Sequence, residues 1–119
     1  MKMKFLIVDD SRVSRKKLSS FLSELGYEII GEAKDGIEAC TMSKDLNPTH
    51  ILMDVEMPNM KGTEASKQIL SLNKEIKIIY VTSIINTKSL LGTLQKGNKR
   101  VLTKPVSLED LRQAIDELK

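Results

Sequence analysis

Two hydrophobic periods alternate along this chain. Phe5-Leu6-Ile7-Val8 is an unbroken apolar run closed by Asp9-Asp10, the pattern of a strand buried on both faces. Leu18, Phe21, Leu22 and Leu25 then recur at i, i+3, i+4 and i+7, which draws one apolar stripe along a helix. Gly26 stands where such a helix stops. Glu28 to Ala33 is short and β-branched enough for a second strand. Asp35, with Glu38 three residues on, makes an N-cap and capping box that start a second helix, and Asn47-Pro48 stops it. Thr49 to Met53 predicts a strand, a loop runs to Gly62, and Ala65, Ile69 and Leu72 mark a third helix. Ile76 to Val81, with three isoleucines and a valine, is the strongest strand. Leu90, Leu91 and Leu94 mark a fourth helix, Val101 to Thr103 a short last strand, and Ser107 caps a fifth helix that buries Leu108, Leu111, Ile115 and Leu118.

Five strands alternating with five helices predict a doubly wound α/β domain, a parallel sheet with right-handed crossovers and helices on both faces. Sheets of this kind bind ligands outside the carboxyl ends of their strands. Asp9 and Asp10 end the first strand, Asp54 the third, Thr82 the fourth, and Lys104, followed by Pro105, the fifth. Two carboxylates about 4 Å apart repel by about 4 kcal/mol at an effective dielectric of about 20. Three of them in one cleft call for a cation or for raised pKa values. Carboxylate oxygens with room for water suit Mg²⁺, and a lysine and a hydroxyl beside them suit a phosphoryl group. The chain has neither a GxxxxGK[ST] loop nor a GxGxxG turn to hold a nucleotide. The phosphoryl group then comes from a donor bound elsewhere or goes onto the protein, and Asp54 is the natural acceptor, since carboxylates act as phosphoryl nucleophiles. Each of these residues has a plain structural reading alone: a turn and cap for Asp-Asp, β propensity for Thr82, a solvated strand-end lysine for Lys104. The weight lies in their occurring together at the ends of four strands.

Composition narrows the picture. The 119 residues, 40% apolar and 29% charged, suit one soluble domain. No apolar run is long enough to span a bilayer, and acidic residues follow the first apolar run too closely for a signal peptide. A single cysteine, Cys40, excludes an intramolecular disulfide, so a cytoplasmic location is expected. The net charge of +3 favours an acidic partner. Aromatic residues make up only 3% and Trp is absent, which leaves no stacking platform for single strands, and direct DNA binding is not expected. His50 and Cys40 read as packing residues, and Arg12, Arg15, Lys16 and Lys17 as a solvated face.

The residues at the strand ends resemble the receiver domain of two-component response regulators, the single-domain chemotaxis type in particular. The resemblance spans Phe5 to Leu118. It rests on Asp9-Asp10, the block from Met53-Asp54 through Met57-Pro58 to Gly62, Thr82-Ser83 and Lys104-Pro105. It implies a flavodoxin-like sheet in the order 2-1-3-4-5. It implies that Asp54 is the phosphoacceptor, that Asp10 and Asp54 hold Mg²⁺ directly with Asp9 acting partly through water, and that the backbone carbonyl of Glu56 is a further ligand. Thr82 would donate to one phosphoryl oxygen and Lys104 would pair with another, and the bond to Pro105 would be cis. Two positions depart from the family: Val101 stands where an aromatic switch residue is usual, and Lys96-Gly97-Asn98-Lys99-Arg100 replaces a small-residue turn.

The expected function is therefore a phosphorylation-dependent switch over residues 1–119, with no attached output domain. A histidine kinase or phosphotransfer protein would load Asp54, possible contexts being a phosphorelay or chemotaxis, and a downstream protein would read the result. Its only chemistry would be self-phosphotransfer and autodephosphorylation. The alternatives are a pseudo-receiver that binds partners without phosphorylation and, more remotely, a phosphohydrolase with an aspartyl nucleophile. Arg12, Arg15, Lys16 and Lys17 become candidates for kinase docking. Because Val101 offers no aromatic lever, the loop from Ser83 to Thr87, with Ile84 and Ile85, is the expected moving segment, and Lys96, Lys99 and Arg100 favour an acidic target.

Overall fold

The computed structural model describes residues 2–83 and 95–118. In chain order these form β1 (Lys4–Val8), α1 (Arg12–Glu24), β2 (Glu28–Ala33), α2 (Gly36–Leu46), β3 (His50–Asp54), α3 (Gly62–Leu72), β4 (Lys77–Thr82), β5 (Lys99–Thr103) and α4 (Leu108–Glu117). The sheet order is β2-β1-β3-β4-β5, with every neighbouring pair parallel. The described residues thus hold all five expected strands and four of the five expected helices. The helix marked by Leu90, Leu91 and Leu94 lies outside them, as do Ile84 and Ile85 of the expected moving segment.

The helix starts follow the side chains at their caps. Ser11 accepts from the Ser14 N–H, Asp35 from the Glu38 N–H and Ser107 from the Asp110 N–H, each satisfying a donor that the first turn leaves open. Glu38 reciprocates by accepting from the Lys34 N–H at 3.1 Å. Alpha-helix α3 is different: Lys61 occupies its cap position without a side-chain bond. At the other end of α2, Asn47 takes a left-handed conformation with φ 52°, tolerable for Asn, and Pro48 follows.

Strand bounds differ slightly from the hydrophobic runs. β3 and β4 each sit one residue later than their apolar stretches, because backbone pairing continues to Asp54, opposite Val81, and to Thr82, opposite Thr103. β5 starts at Lys99, opposite Ile78. Pairing sets the ends of a strand, and apolarity only marks its middle.

Alternation along the strands sorts the core into two layers. Leu6, Val8, Ile51, Met53, Ile78, Tyr80 and Val101 pack with Ala39, Ala65 and Ile69 under α2 and α3. Phe5, Ile7, Leu52, Ile79 and Val81 pack with Leu18, Leu22, Leu111 and Ile115 under α1 and α4. Truncating one of these leucines to alanine costs about 2–5 kcal/mol. Leu72 leaves the expected stripe: it is 76% exposed, being the last residue of α3 where the chain turns toward β4.

His50 belongs to the core, at the amino end of β3. It is 2% exposed, its ring stacks on Phe5 with centroids 4.7 Å apart, and Nδ1 lies 2.8 Å from Thr49 Oγ1. Burial first, and then the charge of Lys77, pushes its pKa down to about 4. An unfolded chain restores about 6.5. The unfolded state therefore binds the proton more tightly, and stability present above pH 6.5 is lost as the pH falls toward 4. The loss amounts to about 3 kcal/mol. Chemical denaturation from pH 7.5 to 4 should show the wild type losing that stability relative to His50→Phe, and parallel curves would refute the assignment.

Candidate functional site

The carboxyl end of β1 meets the start of α1 at Asp9 and Asp10. Asp9 is buried and Asp10 exposed. Asp9 Oδ1 accepts from the Ser11 N–H at 2.9 Å, so the side chain also shapes the turn. Its backbone carbonyl accepts from Arg15 Nη1 at 2.6 Å, and Arg15 Nε lies 3.3 Å from Glu32 Oε1. This corrects the reading of Arg15 as solvated: its side chain is 18% exposed and turned toward the strand end. One turn after Ser11, the i+4 position places it over the amino end of α1.

Asp54 is the last residue of β3 and is buried. The loop 55–61 leaves from it, with Glu56 exposed near its start. Gly62 closes the loop by passing directly over the strand end. A Cβ there would run into the carbonyl oxygen of Asp54, and the Gly62 N–H donates to the Val55 carbonyl at 2.9 Å. On the other side Asn59, at φ 71°, donates from Nδ2 to Asp35 Oδ2 at 3.1 Å. Gly36 sits so close to Met60 that a Cβ would meet its carbonyl oxygen at 2.6 Å.

Thr82 ends β4 and is 1% exposed. Its hydroxyl has no hydrogen-bond partner among the described residues, and a buried polar atom left so is costly. Its carbonyl accepts from the Lys104 N–H at 2.7 Å, which fixes the base of the lysine. The Lys104–Pro105 bond is cis. Lys104 Nζ reaches Asp9 Oδ2 at 3.0 Å and Asp54 Oδ2 at 3.4 Å.

The sheet therefore brings Asp9, Asp10, Asp54, Thr82 and Lys104 to one end. Asp9, Asp10 and Asp54 each offer a carboxylate oxygen within 4.8 Å of the others. Burial first, and then the charge of Asp9, raises the Asp54 pKa to about 6 against the pull of Lys104. Burial works to lower Lys104, but its hydrogen bond to Asp9 and the charges of Asp54 and Asp9 outweigh it, leaving the ammonium raised and firmly protonated. One lysine thus stands against three carboxylates. An oxygen-only donor set with an exposed member fits Mg²⁺, which keeps several waters. The unpartnered Thr82 hydroxyl and the Lys104 ammonium are donors suited to phosphoryl oxygens.

Sequence reasoning singled out every member of this cluster but missed two of its supports. Arg15 was hidden in a basic run, although its spacing from Ser11 points to the helix start. The Ser66 and Tyr80 hydroxyls, 2.5 Å apart in the core, come from different elements and leave no local signal.

Comparison with known proteins agrees with this geometry. Residues 5–116 match the response regulator receiver domain. The chain is 31% identical over 118 residues to the chemotaxis protein CheY of Thermotoga maritima, covering 99% of this chain and 98% of that protein. It is 36% identical to the response regulator VraR of Staphylococcus aureus, where it covers 97% of this chain and spans 56% of the relative. Among solved structures, TrrA of Thermotoga maritima in complex with Mg²⁺-BeF superimposes with a TM-score of 0.85 at 30% identity, covering 100% of both chains. CheY in the CheX-CheY-BeF3-Mg²⁺ complex of Borrelia burgdorferi gives 0.83 at 25% identity, over 98% of this chain and 88% of that one. With the matched region running through all five strands and every residue of the acidic pocket, the chain belongs to the response regulator receiver domains of two-component signalling.

Proposed function

We propose that the chain is a phosphorylation-dependent switch that accepts one phosphoryl group on Asp54. The observation that carries this reading is the convergence on one buried carboxylate of two further acids and a bridging lysine, with the Thr82 hydroxyl unpartnered at the end of the adjacent strand. An Asp54 carboxylate oxygen attacks phosphorus, the donor's bond to phosphorus breaks and its leaving group departs with the bonding pair. The product is an acyl phosphate. Asp10 and Asp54, the Glu56 backbone carbonyl and, through water, Asp9 would hold Mg²⁺, which supplies charge neutralisation for the transferring group. Lys104 would exchange its bond to Asp54 for one to a phosphoryl oxygen, and Thr82 would donate to another. Return of the switch needs only water attacking phosphorus: the bond to the Asp54 oxygen breaks, the carboxylate is restored and inorganic phosphate leaves.

The donor, a histidine kinase or phosphotransfer protein, fits the side of the pocket where α1 meets Pro105. A groove of about 460 Å³ lies there, lined by Val13, Lys17 and Pro105 among others. Val13 is 80% exposed in front of it. Lys17 is exposed at the groove, Arg12 and Lys16 are exposed on the neighbouring face of α1 beside Glu32, and Arg15 is spent on Asp9 and Glu32. The target side carries Lys96 and Lys99. Arg100 contributes less than its charge suggests, since Nε bonds Glu117 Oε1 at 3.0 Å. An acidic target segment suits what remains. No helix of the described residues is long and apolar enough to cross a membrane, and the cytoplasm, where such donors act, is the proposed location.

Three outcomes check this reading. Incubation with Mg²⁺ and acetyl phosphate should add one phosphoryl group by intact mass, and Asp54→Asn should take none; equal labelling would move the acceptor elsewhere. Asp10→Ala should weaken Mg²⁺ by at least about tenfold in calorimetric titration, since even outer partners of metal ligands are worth about that; an unchanged affinity would remove Asp10 from the metal site. Without Mg²⁺, Asp54→Asn should be more stable than wild type at pH 7.5 by on the order of 2–3 kcal/mol, because ionised Asp54 is disfavoured in the fold. With a folded pKa near 6 and an unfolded one near 3.9, that advantage should shrink as the pH falls from 6 to 4. A pH-independent difference would sink the electrostatic account.

A further inference from the structure

The phosphoacceptor loop is braced at one edge by contacts already described, Asn59 on Asp35 and Met60 on Gly36. Its other edge runs into α3, which has no side-chain cap, unlike the other described helices. What holds that first turn comes from the core. Tyr80 is fully buried on β4, and its hydroxyl lies 2.5 Å from Ser66 Oγ. Ser66 Oγ in turn lies 2.9 Å from the Thr63 carbonyl oxygen.

Counting protons gives the chain a direction. The Thr63 carbonyl only accepts, so the single Ser66 proton is committed to it. Tyr80 must then donate to Ser66. The run Tyr80 O–H to Ser66 Oγ, and Ser66 O–H to Thr63, ties the central sheet to the second residue of α3. The residue before Thr63 is Gly62, lying against the Asp54 carbonyl and bonded to Val55. Alternation along β4 also puts Tyr80 on the same sheet face as Thr82.

We propose that Tyr80 and Ser66 are positioning residues of the phosphoacceptor site: they hold the first turn of α3, and through it the loop 55–61 with the Glu56 carbonyl, at the distance that metal binding requires. The inference rests on the reading of this pocket as a Mg²⁺-dependent phosphoacceptor. Neither residue belongs to the acidic cluster itself. Ser66 does for α3 from inside what Ser11, Asp35 and Ser107 do for their helices from outside, and its rigidity is borrowed from β4. A leucine and phenylalanine pair would fill the same space without fixing the turn.

The test compares wild type, Tyr80→Phe, Ser66→Ala and the double variant, with Ile115→Val in the opposite core layer as a control that loses stability without touching the chain. Mg²⁺ affinity is read by calorimetric titration, labelling by acetyl phosphate over a Mg²⁺ series, and amide exchange in the first turns of α3. Tyr80→Phe and Ser66→Ala should weaken Mg²⁺ by up to about tenfold, the low edge of what outer-shell partners of a metal ligand are worth. Labelling should fall at low Mg²⁺ and recover as Mg²⁺ saturates. The double variant should bind no more weakly than Ser66→Ala, since both changes break one chain, and exchange in α3 should speed up. Ile115→Val should lower the melting temperature and leave Mg²⁺ affinity alone. If Tyr80→Phe and Ser66→Ala melt earlier but bind Mg²⁺ like wild type, the pair is core packing and the inference is overturned while the site stands. If wild type itself neither binds Mg²⁺ nor takes the phosphoryl group, the reading of the pocket fails and the inference falls with it.

Discussion

The constraint on which this domain turns is charge crowding at one end of the sheet. Asp9, Asp10 and Asp54 have oxygens within 4.8 Å of one another, and Lys104 is the cation that bridges two of them. At an effective dielectric of about 20 a buried like-charged pair at such distances costs up to about 3–4 kcal/mol, and far less where one member is exposed, as Asp10 is. A chain selected only for stability would not keep this arrangement. The strain shows in Asp54, whose proton is held up to about pH 6 first by burial and then by the charge of Asp9. It persists because Asp9 and Asp54 are buried and have nowhere else to go. Strain concentrated at one place in an otherwise consistent fold is the usual mark of a functional site.

The rest of the architecture can be read as what holds those charges together. Asp9 and Asp54 end neighbouring strands, β1 and β3, that are buried on both faces, so neither can retreat without opening two core layers. Arg15 fixes the carbonyl of Asp9 from α1. Lys104 is fixed at its backbone by Thr82. The loop after Asp54 is clasped against α2 and α3, with Gly62 and Gly36 allowing approaches that a side chain would block. A divalent cation would remove the strain without moving these parts, which is why the scaffold can be rigid and the site still responsive. The stability that ionised Asp54 costs the fold would become available on binding a cation.

Legibility in the sequence followed the range of the interactions. Elements, caps and the ends of strands are local, and Asp35 with Glu38, Ser107, Asn47 and the apolar runs announced them. Convergence of Asp9, Asp10, Asp54, Thr82 and Lys104 followed from strand parallelism alone, since every parallel strand delivers its carboxyl end to the same side. The strand order was a different matter: apolar periodicity does not order strands, and 2-1-3-4-5 came from the resemblance before the pairing showed it. Strand bounds slipped by a residue because Asp54 and Thr82 are paired but polar. Arg15 was misread because charge runs do not say which member turns inward. Ser66 and Tyr80 were invisible as a pair, since a serine inside an apolar helix stripe explains itself only when its partner on another strand is known.

The departure at position 101 fits the same packing. Val101 is buried on β5 opposite Tyr80 on β4, in one core layer with Met53 and Ala65. Cores are packed about as tightly as organic crystals, so the large aromatic on β4 and a second one beside it on β5 would compete for one volume, and overpacking of that kind costs about 1–3 kcal/mol. The layer resolves the conflict by giving β4 the ring and β5 a β-branched side chain with a stiff χ1. The ring is not free to turn, because its hydroxyl is bonded to Ser66. This face of the sheet therefore carries no aromatic that can swing between core and solvent among the described residues.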